Sequence, residues 1–227
     1  MHSSTASFRF FTSSVLASLL LFGAVSFAPA NATVRIHDSV TAVSALAKLK
    51  VKPWSSHAGY ARSAFSDGWG DIGSCDTRNY ILKRDLTNVT WRSGASCLVA
   101  TGTLKDPYTG KIINFVRGVK TSLAVQIDHV VALSNAWETG ASTMSGTARY
   151  NLYNDPLNLL AVDGPTNESK GDSDASAWLP PNRAYRCAYV ARQIAVKTKY
   201  RLWITAGEKS AMAAVLTGCA GFKLPTY

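Results

Sequence analysis

Asp128, His129 and Asn167 are side chains of types suited to phosphodiester chemistry, and they fall within one stretch, residues 126–174. Hydrolysing a phosphodiester needs a base that takes a proton from the attacking water, and a cation that offsets charge on the transition state and the leaving oxygen. A histidine titrating near ~6.5 is largely neutral at neutral pH and can be that base. A carboxylate and an amide carbonyl are oxygen ligands for a hard cation such as Mg²⁺, which keeps several of its waters.

These residues must be placed by the elements that carry them. Ile127–Leu133 and Leu157–Val162 are short apolar runs that read as strands, separated by a polar connection. A Gly164-Pro165 turn follows, then a polar helix over Thr166–Trp178, so the order is β, loop, β, α. Neighbours on a strand point to opposite faces. Asp128 and His129 can therefore share a site only if the strand ends or bulges there. Asn167 would lie in the first turn of the helix, beside an N-terminus that favours anions. Asn158, at the start of the second strand, would bridge to the connecting loop and hold His129 in place. Lys170 reads either as part of a surface turn or as a phosphate contact. Arg78, Lys83 and Arg84 form a solvated helix face or a phosphate-binding rail, and Arg149, Arg186 and Arg192 stand as further candidates. Arg62 reads as an ordinary surface arginine.

The flanking segments supply the rest of a core. Val40–Leu49 has apolar residues at helical spacing and lysines near its end, and Pro53 follows. Tyr60–Asp71 is an aromatic, Gly-rich loop packed on the core. Cys75–Leu86 reads as an amphipathic helix, and Asn88-Val89-Thr90 is a glycosylation sequon. Cys97–Leu104 and Lys111–Gly118 read as a β-hairpin around the turn residues Asp106–Gly110. Asn182 is a suitable N-cap for a helix over Ala184–Tyr200, and a last helix spans Ala206–Leu216 with Glu208 in its first turn.

Charge and cysteine usage bound the setting. The net charge is +10, and removing an N-terminal leader takes away only Arg9. A basic surface suits nucleic acid, anionic cell walls or membranes, and by itself favours none of them strongly. Residues 1–32 read as a secretory signal, with an apolar run from Val15 to Phe27 and small-residue cleavage sites near 30–32. That run is short of the ~20 residues a membrane span needs. An exported monomer with no remaining anchor is expected. The cysteines are Cys75, Cys97, Cys187 and Cys219. An even count in an exported chain argues for disulfides, with three connectivities open. Locality favours Cys75–Cys97 and Cys187–Cys219, and each bridge would stabilise the fold by about 2–4 kcal/mol.

The segments IDHVVALSNAWETGA, YNDPLNLLAV and TNESKGDSDASAWLPP together resemble the HNH (His-Me finger) endonucleases, specifically a secreted bacterial branch with the DUF1524-type pattern. CDTRNYILKRDL, the DPYTG turn and the basic C-terminal helix with its cysteines are also similar. The resemblance implies an α+β fold with a ββα-metal core over about 126–178, within a single nuclease domain spanning 33–227. It implies His129 as general base, with Asn158 orienting the loop that carries it. Asp128 and Asn167 would be the metal ligands for one divalent cation, Mg²⁺ or Mn²⁺. Lys170, Arg78 and Arg149 are the substrate-binding candidates. The implied activity is metal-dependent, weakly sequence-specific hydrolysis of DNA, with RNA not distinguished. The alternative is a basic nucleic-acid or cell-surface binding protein in which the motif is catalytically degenerate.

Overall fold

The structure, a computed structural model, describes Met1 and residues 40–226, so the expected leader and its cleavage positions lie outside the described residues apart from Met1. The site is carried by an antiparallel ribbon. β6 (Val125–His129) pairs with β7 (Leu159–Asp163), with Asp128 opposite Leu160 and His129 opposite Leu159. α5 (Gly164–Lys170) leaves directly from the end of β7.

Both faces of the ribbon are covered, which is why β7 reads as an unbroken apolar run rather than an alternating one. Leu160 and Val162 pack with Tyr189, Val190 and Ile194 of α6 (Arg186–Lys199) and with Leu46 of α1 (Ala42–Lys48). Leu159, Ala161, Val125 and Ile127 pack on the other side against Ile81 and Leu82 of α2 (Thr77–Asp85). Each such Leu, Ile or Val side chain, fully buried, contributes about 1.5–3 kcal/mol. α7 (Ala206–Leu216) closes the first cluster through Met212 and Leu216.

α2 begins where Asp76 accepts a hydrogen bond from the Asn79 backbone N–H at 2.8 Å. It is preceded by a small hairpin, β1 (Asp71–Ile72) with β2 (Cys75–Asp76). β3 (Leu86–Trp91), β4 (Val99–Lys105) and β5 (Ile112–Val116) form an antiparallel sheet. The expected hairpin is thus its second half. β3, which carries the sequon, was not anticipated as a strand; its register shifts between Thr87 and Thr90, with Asn88 at φ 51° between them.

The connection between β6 and β7 is not a loop. It holds α3 (Leu133–Glu138) and α4 (Gly146–Asn154). α5 is shorter than the expected helix over Thr166–Trp178, because Gly171 takes φ 51° at its C-cap and turns the chain away. Gly164 starts α5 close to the segment before β6, where a Cβ would come within 2.0 Å of the Leu123 carbonyl. Asn182 caps only a short 3-10 turn, Arg183–Tyr185, and makes no side-chain cap; its amide donates to the Pro107 carbonyl at 2.9 Å. The bridges Cys75–Cys97 and Cys187–Cys219 are both formed. Among the described residues no helix is long and apolar enough to cross a membrane.

Candidate active site

Gln126, Ile127, Asp128 and His129 all line one cavity of about 400 Å³. Four consecutive strand residues cannot share a face, so the cavity runs along the unpaired edge of β6. β6 also ends at His129. The demand that Asp128 and His129 meet despite being neighbours is met by that edge and that ending. Asn167 and Lys170 of α5 and Arg78 of α2 also line the cavity. Tyr60, Arg62 and Trp69 of the aromatic loop line it as well.

His129 is buried. Its ring lies nearly parallel to Trp69, with centroids 5.6 Å apart at 13°, and tilts against Tyr153 at 4.7 Å. Its Nε2 is 2.9 Å from the Tyr153 carbonyl. A carbonyl can only accept, so Nε2 carries the proton and Nδ1 keeps a lone pair. Burial, and then the nearby Arg62 guanidinium, lower its pKa to about 3. The Tyr153 carbonyl opposes that shift and Lys170 adds to it. The imidazole is therefore neutral at physiological pH, with Nδ1 available as a base.

Asn158 is fully buried and grips the turn that follows His129. Its Oδ1 accepts from the Val131 N–H at 2.8 Å, and its Nδ2 donates to the Val131 carbonyl at 3.2 Å. Its own carbonyl accepts from the Val130 N–H at 2.8 Å. The chain leaving β6 is thus clamped to the start of β7 by both backbone and side chain.

Asp128 is also buried, and both of its oxygens are engaged. Oδ1 takes the Lys170 ammonium at 2.9 Å, and Oδ2 accepts the Tyr108 hydroxyl. Burial first, and then Asp128 itself, raise the Tyr108 pKa, so that hydroxyl stays a donor. Lys170 also donates to the His129 carbonyl at 3.0 Å. Lys170 is thus not a surface-turn residue: it is buried at the cavity wall, bonded to Asp128 and to the backbone of His129. Asn167 lies mid-helix, not at an open helix N-terminus, because the Asp163 carboxylate already accepts from the Thr166 N–H at 2.9 Å. The Asn167 amide nitrogen donates to Gln126 at 2.8 Å, and its oxygen is left without a donor among the described residues.

The other cations separate clearly. Arg78 lines the cavity, half-buried, and is steadied by the Ser122 and Val125 carbonyls at 3.3 and 3.1 Å. Arg149 does not line it: its guanidinium donates to the Ala64 carbonyl at 2.7 Å and lies over the Trp137 ring. Arg84 faces the ribbon, donating to the Leu159 and Pro156 carbonyls at 2.7 and 2.8 Å, so the expected rail along α2 reduces at this cavity to Arg78. Arg62, expected to be an ordinary surface residue, is exposed at the cavity mouth over the Tyr153 ring, with Nη2 3.2 Å from the Tyr153 hydroxyl. The sequence signal for Arg62 and Trp69 was the aromatic, Gly-rich character of their loop. Nothing in it pointed to Tyr108, Tyr153 or Gln126.

Cation-binding capacity follows from the donor types. Among the described residues no three His, Cys, Asp or Glu side chains converge as a cage. The carboxylates that line the cavity are Asp128 and Asp172 and the amides are Asn167 and Gln126, and each Asp128 oxygen retains a second lone-pair site. That set suits a hard, largely hydrated cation held by few protein ligands.

Two comparisons with known proteins bear on this site. The family described as "GmrSD restriction endonucleases, C-terminal domain" matches residues 76–215, from the N-cap of α2 to the end of α7. A protein of Arthroderma benhamiae, described as an uncharacterized secreted protein, is 37% identical over 194 residues, covering 85% of this chain and 91% of its own length. That relative and the two bridges fit an extracellular location.

Proposed function

The chain belongs to the family of GmrSD restriction endonuclease C-terminal domains, and from that premise we propose that it is a secreted, divalent-metal-dependent endonuclease of the HNH type. Its single nuclease domain includes the described residues 40–226. The ribbon of β6 and β7 with α5 serves as its ββα-metal core. Its substrate is DNA, hydrolysed with low sequence specificity. The observation that carries this reading is the state of His129: neutral, bonded through Nε2 to the Tyr153 carbonyl so that Nδ1 keeps its lone pair, and lining a cavity together with Asp128, Asn167, Arg62 and Arg78.

Each residue then has a defined task. His129 Nδ1 takes the proton of the attacking water. Tyr153 and Trp69 hold the imidazole plane, and Asn158 holds the backbone that carries it. Asp128 and Asn167 would hold the cation, Mg²⁺ or Mn²⁺, which when bound offsets charge on the phosphoryl oxygens and the leaving oxygen. Lys170 fixes the Asp128 carboxylate and ties it to the His129 backbone. Arg62 and Arg78, both lining the cavity, would contact the phosphate, and backbone contacts of this kind fix register without reading sequence.

The test is direct. Secreted protein is incubated with plasmid, linear DNA and RNA, in Mg²⁺ and in EDTA. Nicking of plasmid in Mg²⁺, lost in EDTA, is expected. Shifted but uncut DNA under all conditions would overturn the enzyme reading in favour of a binding protein, and cutting that survives EDTA would overturn the metal reading.

A further inference from the structure

Asn167 and Glu168 are consecutive on α5, and both grip the same side chain on β6. Gln126 Nε2 donates to Glu168 Oε1 at 2.8 Å, and Gln126 Oε1 accepts from Asn167 Nδ2 at 2.8 Å. The directions of these two bonds are not independent. An ionised carboxylate only accepts, so Gln126 must turn its nitrogen to Glu168. Its oxygen is then the atom left for Asn167. Asn167 must answer with its nitrogen, and Oδ1 becomes the atom without a donor. A reversed Gln126 would set oxygen against oxygen at Glu168 and force Asn167 to spend its own oxygen on the strand. Gly164 leaves room for the arrangement: a Cβ there would lie 3.2 Å from Gln126 Nε2.

An asparagine can ligate a hard cation only through its oxygen, yet its two amide ends are nearly identical in size. Unless something sets the amide, half of its orientations present N–H to the cation. We propose that Glu168 and Gln126 form a polarity relay that fixes the Asn167 amide with Oδ1 free for a divalent cation. The relay rests on the cation reading proposed above. Glu168 and Gln126 are positioning residues. Glu168 is exposed, so the relay can be reversed from the surface without disturbing the core.

Glu168→Lys reverses it. A donor at 168 draws the Gln126 oxygen, turns the Gln126 nitrogen toward Asn167, and draws Asn167 Oδ1 away from the cation. Gln126→Glu in that background restores the original sense, because a carboxylate at 126 accepts from the new ammonium and from Asn167 Nδ2 together. The experiment is Mn²⁺ titration calorimetry of the secreted protein and both variants, at 0.1 and 0.5 M NaCl, with thermal melts alongside. Glu168→Lys is expected to weaken Mn²⁺ binding about tenfold or more, within the range for residues that orient metal ligands, with an unchanged melting temperature. The double variant should recover most of the affinity. The loss should persist at 0.5 M NaCl, where through-space repulsion between exposed charges is screened. Undiminished binding in Glu168→Lys, a double variant as weak as the single, or a loss that disappears at high salt would each overturn the relay while leaving the metal reading standing. Absence of Mn²⁺ binding in the unaltered protein would overturn both.

Discussion

Lys170 and Lys197 are both buried against a carboxylate, yet one stands at the wall of the cavity and the other inside the packing of α6 on α7. Lys197 spends its donors on Glu208 at 3.0 Å, Asn135 at 2.9 Å and the Trp203 carbonyl at 3.3 Å, which ties α6 to α7 and to α3. Burial lowers its pKa and Glu208 opposes that; burial likewise raises Glu208, and Lys197 opposes that. Lys170 uses a similar pair of contacts, Asp128 and the His129 carbonyl, but beside open volume that a ligand or water can enter. The lesson is that a buried ion pair is structural where nothing can replace a lost partner, and becomes part of a site where something can.

That contrast can be broken by mutation. Lys197→Met leaves Glu208 buried without its cation and should cost about 3–5 kcal/mol of stability, read as a drop in the denaturant midpoint, with cleavage by the remaining folded protein unchanged. Lys170→Met should do the reverse. Water can reach Asp128 from the cavity, so the stability loss should be clearly smaller, while cleavage falls about 100-fold, within the range for a misplaced catalytic group. Equal stability losses in the two variants would erase the distinction.

The arginines sharpen it. Arg62→Ala should lower cleavage about tenfold and reduce the salt dependence of DNA binding by about one phosphate contact. Arg149→Ala should leave cleavage intact and lower the melting temperature, because it removes contacts to the Ala64 and Met144 carbonyls.

The smallest effect is in pH. The folded pKa of His129 is about 3, against ~6.5 in the unfolded chain. Below ~6.5 the unfolded chain takes up a proton that the folded one refuses. His129 therefore favours folding fully above that pH, and the contribution is lost as pH falls toward about 3. In EDTA, the stability difference between the unaltered protein and His129→Gln should change between pH 6 and 5 by about 1 kcal/mol, the slope of one linked proton. No change would mean that the imidazole is not held neutral by burial.

The two regions also differ in how far the sequence disclosed them. α7 and the ribbon could be read from periodicity and apolar runs, and the cysteine pairs from locality. The Asp128–His129 paradox even anticipated a strand that ends at the site. α3 and α4 are not legible because LSNAWE and GTARYNLYN lack a clear apolar stripe, and their burial depends in part on Phe65, Ala195, Val196 and Leu202, which are distant in sequence. The polar run Thr166–Trp178 predicts a longer helix than α5 because Gly171, at φ 51°, ends it. Lys170 reads from sequence as a surface-turn residue or a phosphate contact because nothing local shows that a lysine will reach back to a carboxylate 42 residues away. Arg62 and Trp69 reach His129 only through the fold, so no motif spacing could have included them.

The central claim is that His129, neutral and open at Nδ1, is the base of a nuclease site. It is tested most directly by plasmid nicking with the unaltered protein and with His129→Gln, which offers an amide donor to the Tyr153 carbonyl but has no basic nitrogen. Nicking in Mg²⁺ should fall about 10²–10⁴-fold in the variant, with its circular dichroism spectrum unchanged. Nicking by a folded His129→Gln protein at the rate of the unaltered one would contradict the account.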